Sequence, residues 1–283
     1  MKNRLLLLLS TILFFSTPCH GQTIPTVFVS IPPQKFFIDS IAGGNVQVQI
    51  MVNPGANPIT YEPKPSQMIA LSRSIAYFSI GVPFEQAWLD RIRGVNSHMN
   101  LIPTDKGIKK RKMTAQHGAD GPGTDPHIWL SPRLVKVQAL TIKDALIKLI
   151  PEKQSVFEKN YRTFLLQIDQ LEQEIGASLL GQADKKFLVF HPSWGYFARD
   201  FGLTQVAIEI EGKEPKPAQL TAIIKECQQA GIRIIFAQPQ FSQRSARTIA
   251  KAIRGQVILI DPLGENWLQN MRDVANKLQE LTE

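Results

Sequence analysis

Three residues that lie far apart in the sequence have side chains of the kind that bind divalent metals. His127 lies in segment 123–132, between a glycine-rich approach and the start of a helix. Ser131 can cap that helix and the proline after it suits the first helical position, so the imidazole is held on a short, fixed segment. His191 and Asp261 each come directly after an apolar stretch that is predicted to be a strand. Two imidazoles and one carboxylate form a set that suits zinc.

Each of these residues also has an ordinary structural explanation. Asp261 precedes a proline and can form a turn, and His191 precedes a proline and can end a strand. Glu211 and Gln238 follow predicted strands as well, and they belong to the same edge of the predicted sheet. No short signature such as Cys-x-x-Cys accompanies these residues. Spacing alone therefore leaves both the metal site and the structural explanation open.

The elements that must position these residues alternate between strand and helix. In the second half the patterns predict strands at 187–190, 203–210, 232–237 and 257–260, and helices at 194–201, 217–230, 243–254 and 266–282. The first half is a less regular version, with strands at 26–31, 46–52 and 75–80 and helices at 32–42, 84–93 and 134–150. Residues 106–125 have no apolar period and are predicted to form an exposed, mobile loop.

One long helical pattern connects the two halves. Residues 152–180 keep apolar side chains at helical spacing, and a helix of that length would extend ~44 Å. We therefore predict an α/β fold of two lobes, each a mostly parallel sheet flanked by helices, joined by a long rigid backbone helix. The predicted division is a signal peptide at 1–21, an N-terminal lobe at 22–150, the linking helix at 151–182 and a C-terminal lobe at 183–283.

The N-terminus has the pattern of an export signal. Two basic residues precede an apolar run at 5–15, which is too short to span a bilayer, and small residues follow up to Gly21. Lipid modification at Cys19 is a second option, against which Pro18 argues. Removal of the signal leaves 30 basic against 24 acidic residues. We expect a soluble periplasmic protein without a nucleic-acid partner, stable membrane insertion or internal disulfide, in which Cys227 is a small buried residue.

Several ordered motifs resemble those of a known family, the periplasmic zinc- and manganese-binding proteins that serve metal ABC transporters (ZnuA/TroA-like, cluster A-I). The resemblance covers essentially the whole mature chain, and it is carried by the segments 55–63, 81–85, 125–132, 190–197, 214–215 and 261–264. It implies two lobes joined by a rigid helix, with the metal in the cleft between them. It also implies a monomeric binding protein without enzymatic activity, which delivers metal to a membrane permease.

The ligand positions of the family carry over unevenly. His127, His191 and Asp261 each match one, whereas the first position is Ile59, which cannot coordinate a metal. A histidine at the third position, where manganese-preferring members often have glutamate, favours zinc over manganese or another divalent metal.

The missing ligand leaves three explanations. In the favoured one, water or His117 of the 106–125 segment supplies the fourth ligand. In the second, zinc with an open position makes the protein a hydrolase, with Glu62 or Glu211 as the general base. In the third, the protein has lost zinc and takes a different ligand or acts as an accessory partner, and Ile59 adds to an apolar cleft lining.

Overall fold

The structure is a computed structural model that describes residues 24–114, 120–182, 185–209 and 213–279. The predicted export signal, Cys19, His117 and Glu211 lie outside these residues, so what was predicted for them stays a prediction. No helix in these four ranges is both long and apolar enough to cross a membrane.

The first half of the chain builds a four-stranded parallel sheet. Its strands have the order β2-β1-β3-β4, and their bounds are β1 Thr26–Val29, β2 Gln47–Ile50, β3 Ala76–Ser79 and β4 Asn100–Pro103. The helices that connect them are α1 Pro32–Ala42, α2 Pro65–Leu71 and α3 Pro83–Val95, and each has proline at its first turn, where no amide donor is needed. The strands and helices predicted here are present, whereas α2 and β4 were not predicted.

The segment between the first sheet and the next helices contains a short ribbon. β5 at Lys112–Thr114 pairs antiparallel with β6 at Asp120–Thr124, so part of the segment 106–125, which was predicted to form an exposed, mobile loop, forms strands instead. The ribbon depends on backbone pairing, and the glycines and proline of β6 give no alternating pattern from which a strand could be predicted.

Two helices lead into the second half. α4 occupies Pro132–Leu149, a short 3-10 turn follows at Pro151–Lys153, and α5 occupies Gln154–Ser178. The long helix is therefore confirmed, with 25 residues instead of the predicted 29. At 1.5 Å per residue it is about 38 Å long. Its buried face packs on α1 and α4.

The second half builds another four-stranded parallel sheet, in the order β10-β9-β7-β8. The strands are β7 Lys186–Val189, β8 Thr204–Ala207, β9 Ile234–Ala237 and β10 Gln256–Leu259, and the helices are α6 Gly195–Phe201, α7 Pro217–Gln229, α8 Arg244–Ile253 and α9 Trp267–Gln279. Every strand and helix predicted for this half is present. The α/β fold with two parallel sheets and a long helix is thus confirmed.

A continuous hydrophobic core extends across both halves. α9, the last helix of the chain, packs against α5, and Trp267 at its start meets Phe37 of α1 edge-on with ring centroids 5.2 Å apart. A second, smaller cluster lies between the second sheet and the helices α7 and α8, and it includes the buried thiol of Cys227.

Candidate metal centre

The two histidines predicted as ligands meet where the halves join. Nε2 of His127 lies 3.3 Å from Nε2 of His191, and both residues are buried. His127 immediately precedes a 3-10 turn and α4, and Ser131 Oγ accepts a hydrogen bond from the Leu134 amide as the predicted cap. His191 comes two residues after β7, at the carboxyl edge of the second sheet. Residues 64 positions apart are therefore in direct contact.

A carboxylate contacts Nδ1 of each imidazole and fixes the orientation of the ring. Asp125 Oδ1 lies 2.7 Å from Nδ1 of His127, and Glu209 Oε1 lies 2.8 Å from Nδ1 of His191. With Nδ1–H donating to the carboxylate, Nε2 keeps its lone pair for a ligand, which is the usual arrangement of a metal-binding histidine. Burial lowers the pKa of His127, which keeps that imidazole in the neutral, ligating form.

The backbone of His191 is also held firmly. Gln238 accepts a hydrogen bond from the His191 amide at 3.1 Å, and its own amide donates to the His191 carbonyl at 2.7 Å. Phe241 stacks on the imidazole with ring centroids 4.6 Å apart. Gln238 was predicted as a site-lining residue, and it lies fully buried beside the backbone of His191. In this position its side chain fixes the backbone of His191 by hydrogen bonds to the amide and the carbonyl.

Asp261, the third predicted ligand, has other partners. Its Oδ1 accepts hydrogen bonds from the Leu263 amide at 2.8 Å and from Gln240 Nε2 at 2.6 Å. In the described part of the chain, no three His, Cys, Asp or Glu side chains stand close enough together to hold a metal ion. The structure brings His127 and His191 together, whereas Asp261 is hydrogen-bonded to the cavity-lining Gln240 and does not line the cavity itself, so the full ligand set stays a prediction.

A cavity of about 190 Å³ opens at the histidine pair. Apolar side chains form much of its wall, among them Ile59, Val82, Pro83, Trp129, Phe241 and Leu263. Ile59 is 41% exposed, and its amide is fixed by a hydrogen bond to Asn57 Oδ1. The described residues of the lining include no Asp, Glu, Lys or Arg. Glu62, considered above as a general base, is exposed and is not among them.

Three polar residues of this site were not predicted. Glu209 was missed because strand 203–210 was predicted too long; β8 ends at Ala207, and Glu209 is the first carboxylate after that end. Asp125 stands only two residues before His127, in the same motif. Gln240 lies two residues after Gln238, in the loop that follows β9. With β8 ending at Ala207, the argument that polar residues after strand ends line the sheet edge also selects Glu209.

Two parallel sheets, a long connecting helix and a buried histidine pair at a cleft define a solute-binding protein with a metal centre. A family model described as ZnuA, the periplasmic zinc-uptake complex component A, matches residues 27–281, so the chain belongs to the ZnuA family. The resemblance stated from the motifs is thereby confirmed. Members of this family bind solutes and do not transform them, so the chain is a metal-binding protein of an uptake system and not an enzyme.

Known proteins are similar over nearly the whole chain. A crystal structure of ZnuA is 41% identical, with a TM-score of 0.87, and the match covers 92% of this chain and 100% of that one. A zinc-bound ZnuA deletion mutant is also 41% identical, with a TM-score of 0.85, and covers 92% of this chain and 98% of that one. The high-affinity zinc uptake system protein ZnuA of Yersinia pestis is 26% identical, covering 97% of this chain and 94% of that protein.

Proposed function

We propose that this protein captures a divalent metal, zinc in preference to manganese, in the periplasm and delivers it to the membrane permease of an ABC importer. The observation that carries the proposal is the pair of buried imidazoles, His127 and His191, whose Nε2 atoms face each other at 3.3 Å. Each ring is oriented by a carboxylate on its other nitrogen. Two such nitrogens are a strong donor set for zinc, whereas manganese favours oxygen ligands.

The proposed ligands are His127, His191 and Asp261. Among the described residues, Asp261 accepts hydrogen bonds at Oδ1 from the Leu263 amide and from Gln240 Nε2, and Oδ2 accepts none, so Oδ2 is the oxygen proposed to bind the ion. Because Asp261 does not line the cavity, binding of the ion by all three ligands requires its loop to move toward the histidines. Ile59 contributes no donor, so we expect weaker zinc binding than a site with a third imidazole would give.

The proposals for location and partner follow from the family. The export signal at 1–21 would place the mature chain in the periplasm, and the name of the similar Yersinia pestis protein describes a zinc uptake system. Capture involves no chemical step: the cleft holds the ion and the protein, as a monomer, presents it to the permease.

Calorimetry on chelator-stripped protein tests the proposal. We expect zinc to bind the wild type more tightly than manganese, and His127→Ala and His191→Ala each to weaken zinc binding by about 100-fold or more. His98→Ala is the matched control, because His98 is exposed and does not line the cavity. Absence of zinc heat at micromolar concentrations would contradict the proposal and would favour a different ligand for the apolar cavity.

A further inference from the structure

Gln240 is the most unusual polar residue of the cavity. It lines the same cavity as His127 and His191, whereas Asp261 does not reach the lining. Its Nε2 donates to Asp261 Oδ1 at 2.6 Å. Its Oε1 is buried and has no hydrogen-bond partner among the described residues. A buried carbonyl oxygen without a partner is rare in native proteins and requires an explanation.

The orientation of the amide is fixed by its neighbour. Rotation of the amide by 180° would bring Oε1 of Gln240 against Oδ1 of Asp261, which already accepts a hydrogen bond from the Leu263 amide, so two acceptor oxygens would face each other. Nε2 of Gln240 is therefore the atom that faces Asp261, and Oε1, on the other side of the amide, has no hydrogen-bond partner among the described residues. Because carbonyl oxygens are metal ligands, a divalent ion at the histidine pair would supply the partner that Oε1 lacks.

We infer that Gln240 Oε1 is the fourth metal donor, which compensates for the ligand that Ile59 cannot supply. This inference rests on the proposed function. The shell would consist of two imidazole nitrogens, Asp261 Oδ2 and Gln240 Oε1, while the hydrogen bond from Nε2 to Oδ1 keeps the two oxygen donors side by side.

A neutral oxygen donor has a consequence for metal choice. An amide oxygen binds zinc less strongly than an imidazole does, but it suits harder ions better. The inferred shell therefore predicts that the preference for zinc over manganese is narrower than a three-histidine shell would give.

Zinc competition titrations on four forms of the chain test the inference. Gln240→Leu removes the oxygen and is expected to weaken zinc binding by about 10- to 100-fold. Gln86→Leu is the matched control, because Gln86 is an amide on the same cavity wall and makes no hydrogen bond to Asp261. Gln240→Glu keeps an oxygen donor but cannot donate to Asp261, and we expect it to bind zinc within a few-fold of wild type.

The outcomes separate the inference from the proposed function. If Gln240→Leu binds like Gln86→Leu, or if Gln240→Glu is as weak as Gln240→Leu, Gln240 is no ligand, although zinc binding by the wild type still stands. If the wild type itself binds no zinc, both the proposed function and the inference are overturned. Circular dichroism checks folding, and Gln240→Ala replaces the leucine variant if that variant does not fold.

Discussion

The residue at position 59 determines how many imidazoles can reach the cavity. Ile59 lies on the cavity wall and its backbone is fixed by Asn57. We therefore expect Ile59→His to raise zinc affinity by about 10-fold or more, because an imidazole is a stronger zinc donor than water or an amide oxygen. The measurement is competition against a chromophoric chelator.

The neighbouring residue provides the control for this substitution. Thr60 is exposed and does not line the cavity, so Thr60→His adds an imidazole to the same loop without bringing it to the metal. We expect wild-type affinity for this variant. Equal zinc affinities for the two histidine variants would show that position 59 does not face the bound ion.

The turn between β3 and α3 shows how a buried network positions one wall of the cavity. Glu85, itself buried, accepts hydrogen bonds from the amides of Ile80 at 2.9 Å and Gly81 at 2.8 Å. Its carboxylate also contacts the Ser30 hydroxyl, which is 2.8 Å from the Tyr77 hydroxyl. Burial raises the pKa of Glu85. The turn is thus fixed by side chains that never reach the cavity.

Gly81 in this turn has a positive φ of 86°, and the charged ends of two side chains occupy the space where its Cβ atom would lie. A Cβ atom there would overlap the ion pair of Lys110 and Asp105, whose charged atoms are 2.6 Å apart. We expect Gly81→Ala to lower the free energy of unfolding by ~2–3 kcal/mol, through left-handed strain and displacement of the ion pair. Urea denaturation of the metal-free protein measures this loss.

Gly107 separates the two causes of that loss. Its φ of 82° is nearly the same, but a Cβ atom would meet nothing within 4 Å. Gly107→Ala should therefore lose only about 1 kcal/mol from backbone strain. If the two alanine variants are equally stable, the ion pair yields without cost and does not constrain the turn.

The elements were predictable where periodicity was strong, and the site was predictable where it follows a strand or a motif. His191 follows a strand and His127 lies in a rigid motif, so both members of the pair that the structure brings together could be selected from local sequence. Asp261 was selected by the same strand-end argument, and its role as a ligand stays a prediction. Asp125, Glu209 and Gln240 could not be assigned in the same way, because their roles depend on which side chain faces them across the fold. Likewise the β5–β6 ribbon depends on backbone pairing, which leaves no apolar period.

At the scale of the whole molecule, two tryptophans connect the segments that carry the site. Trp129, two residues after His127, donates from Nε1 to the Pro262 carbonyl at 2.7 Å. Trp267 donates from Nε1 to the Trp129 carbonyl at 2.7 Å. The segment with His127 is therefore fixed to the segment after Asp261, although they are more than 130 residues apart. We expect the site to be largely preformed, with loop movements and no wide hinge closure.

The shared core also predicts that the two halves unfold together. The larger hydrophobic cluster contains residues from both sheets, and α9 from the end of the chain packs on α5. In a chain that begins at residue 22, Cys227 is the only cysteine, and it is buried in the smaller cluster of the second half. Pulsed thiol labelling of Cys227 and far-UV circular dichroism should therefore give the same urea midpoint.

Zinc provides the second part of this test. A ligand that binds only the folded state adds about 2.7 kcal/mol to the free energy of unfolding at a concentration 100 times its dissociation constant. Because the proposed ligands come from segments of both halves, zinc should move the Cys227 labelling midpoint and the circular dichroism midpoint by the same amount. A biphasic dichroism curve, or a Cys227 midpoint that does not respond to zinc, would show that the second half unfolds independently of the metal centre.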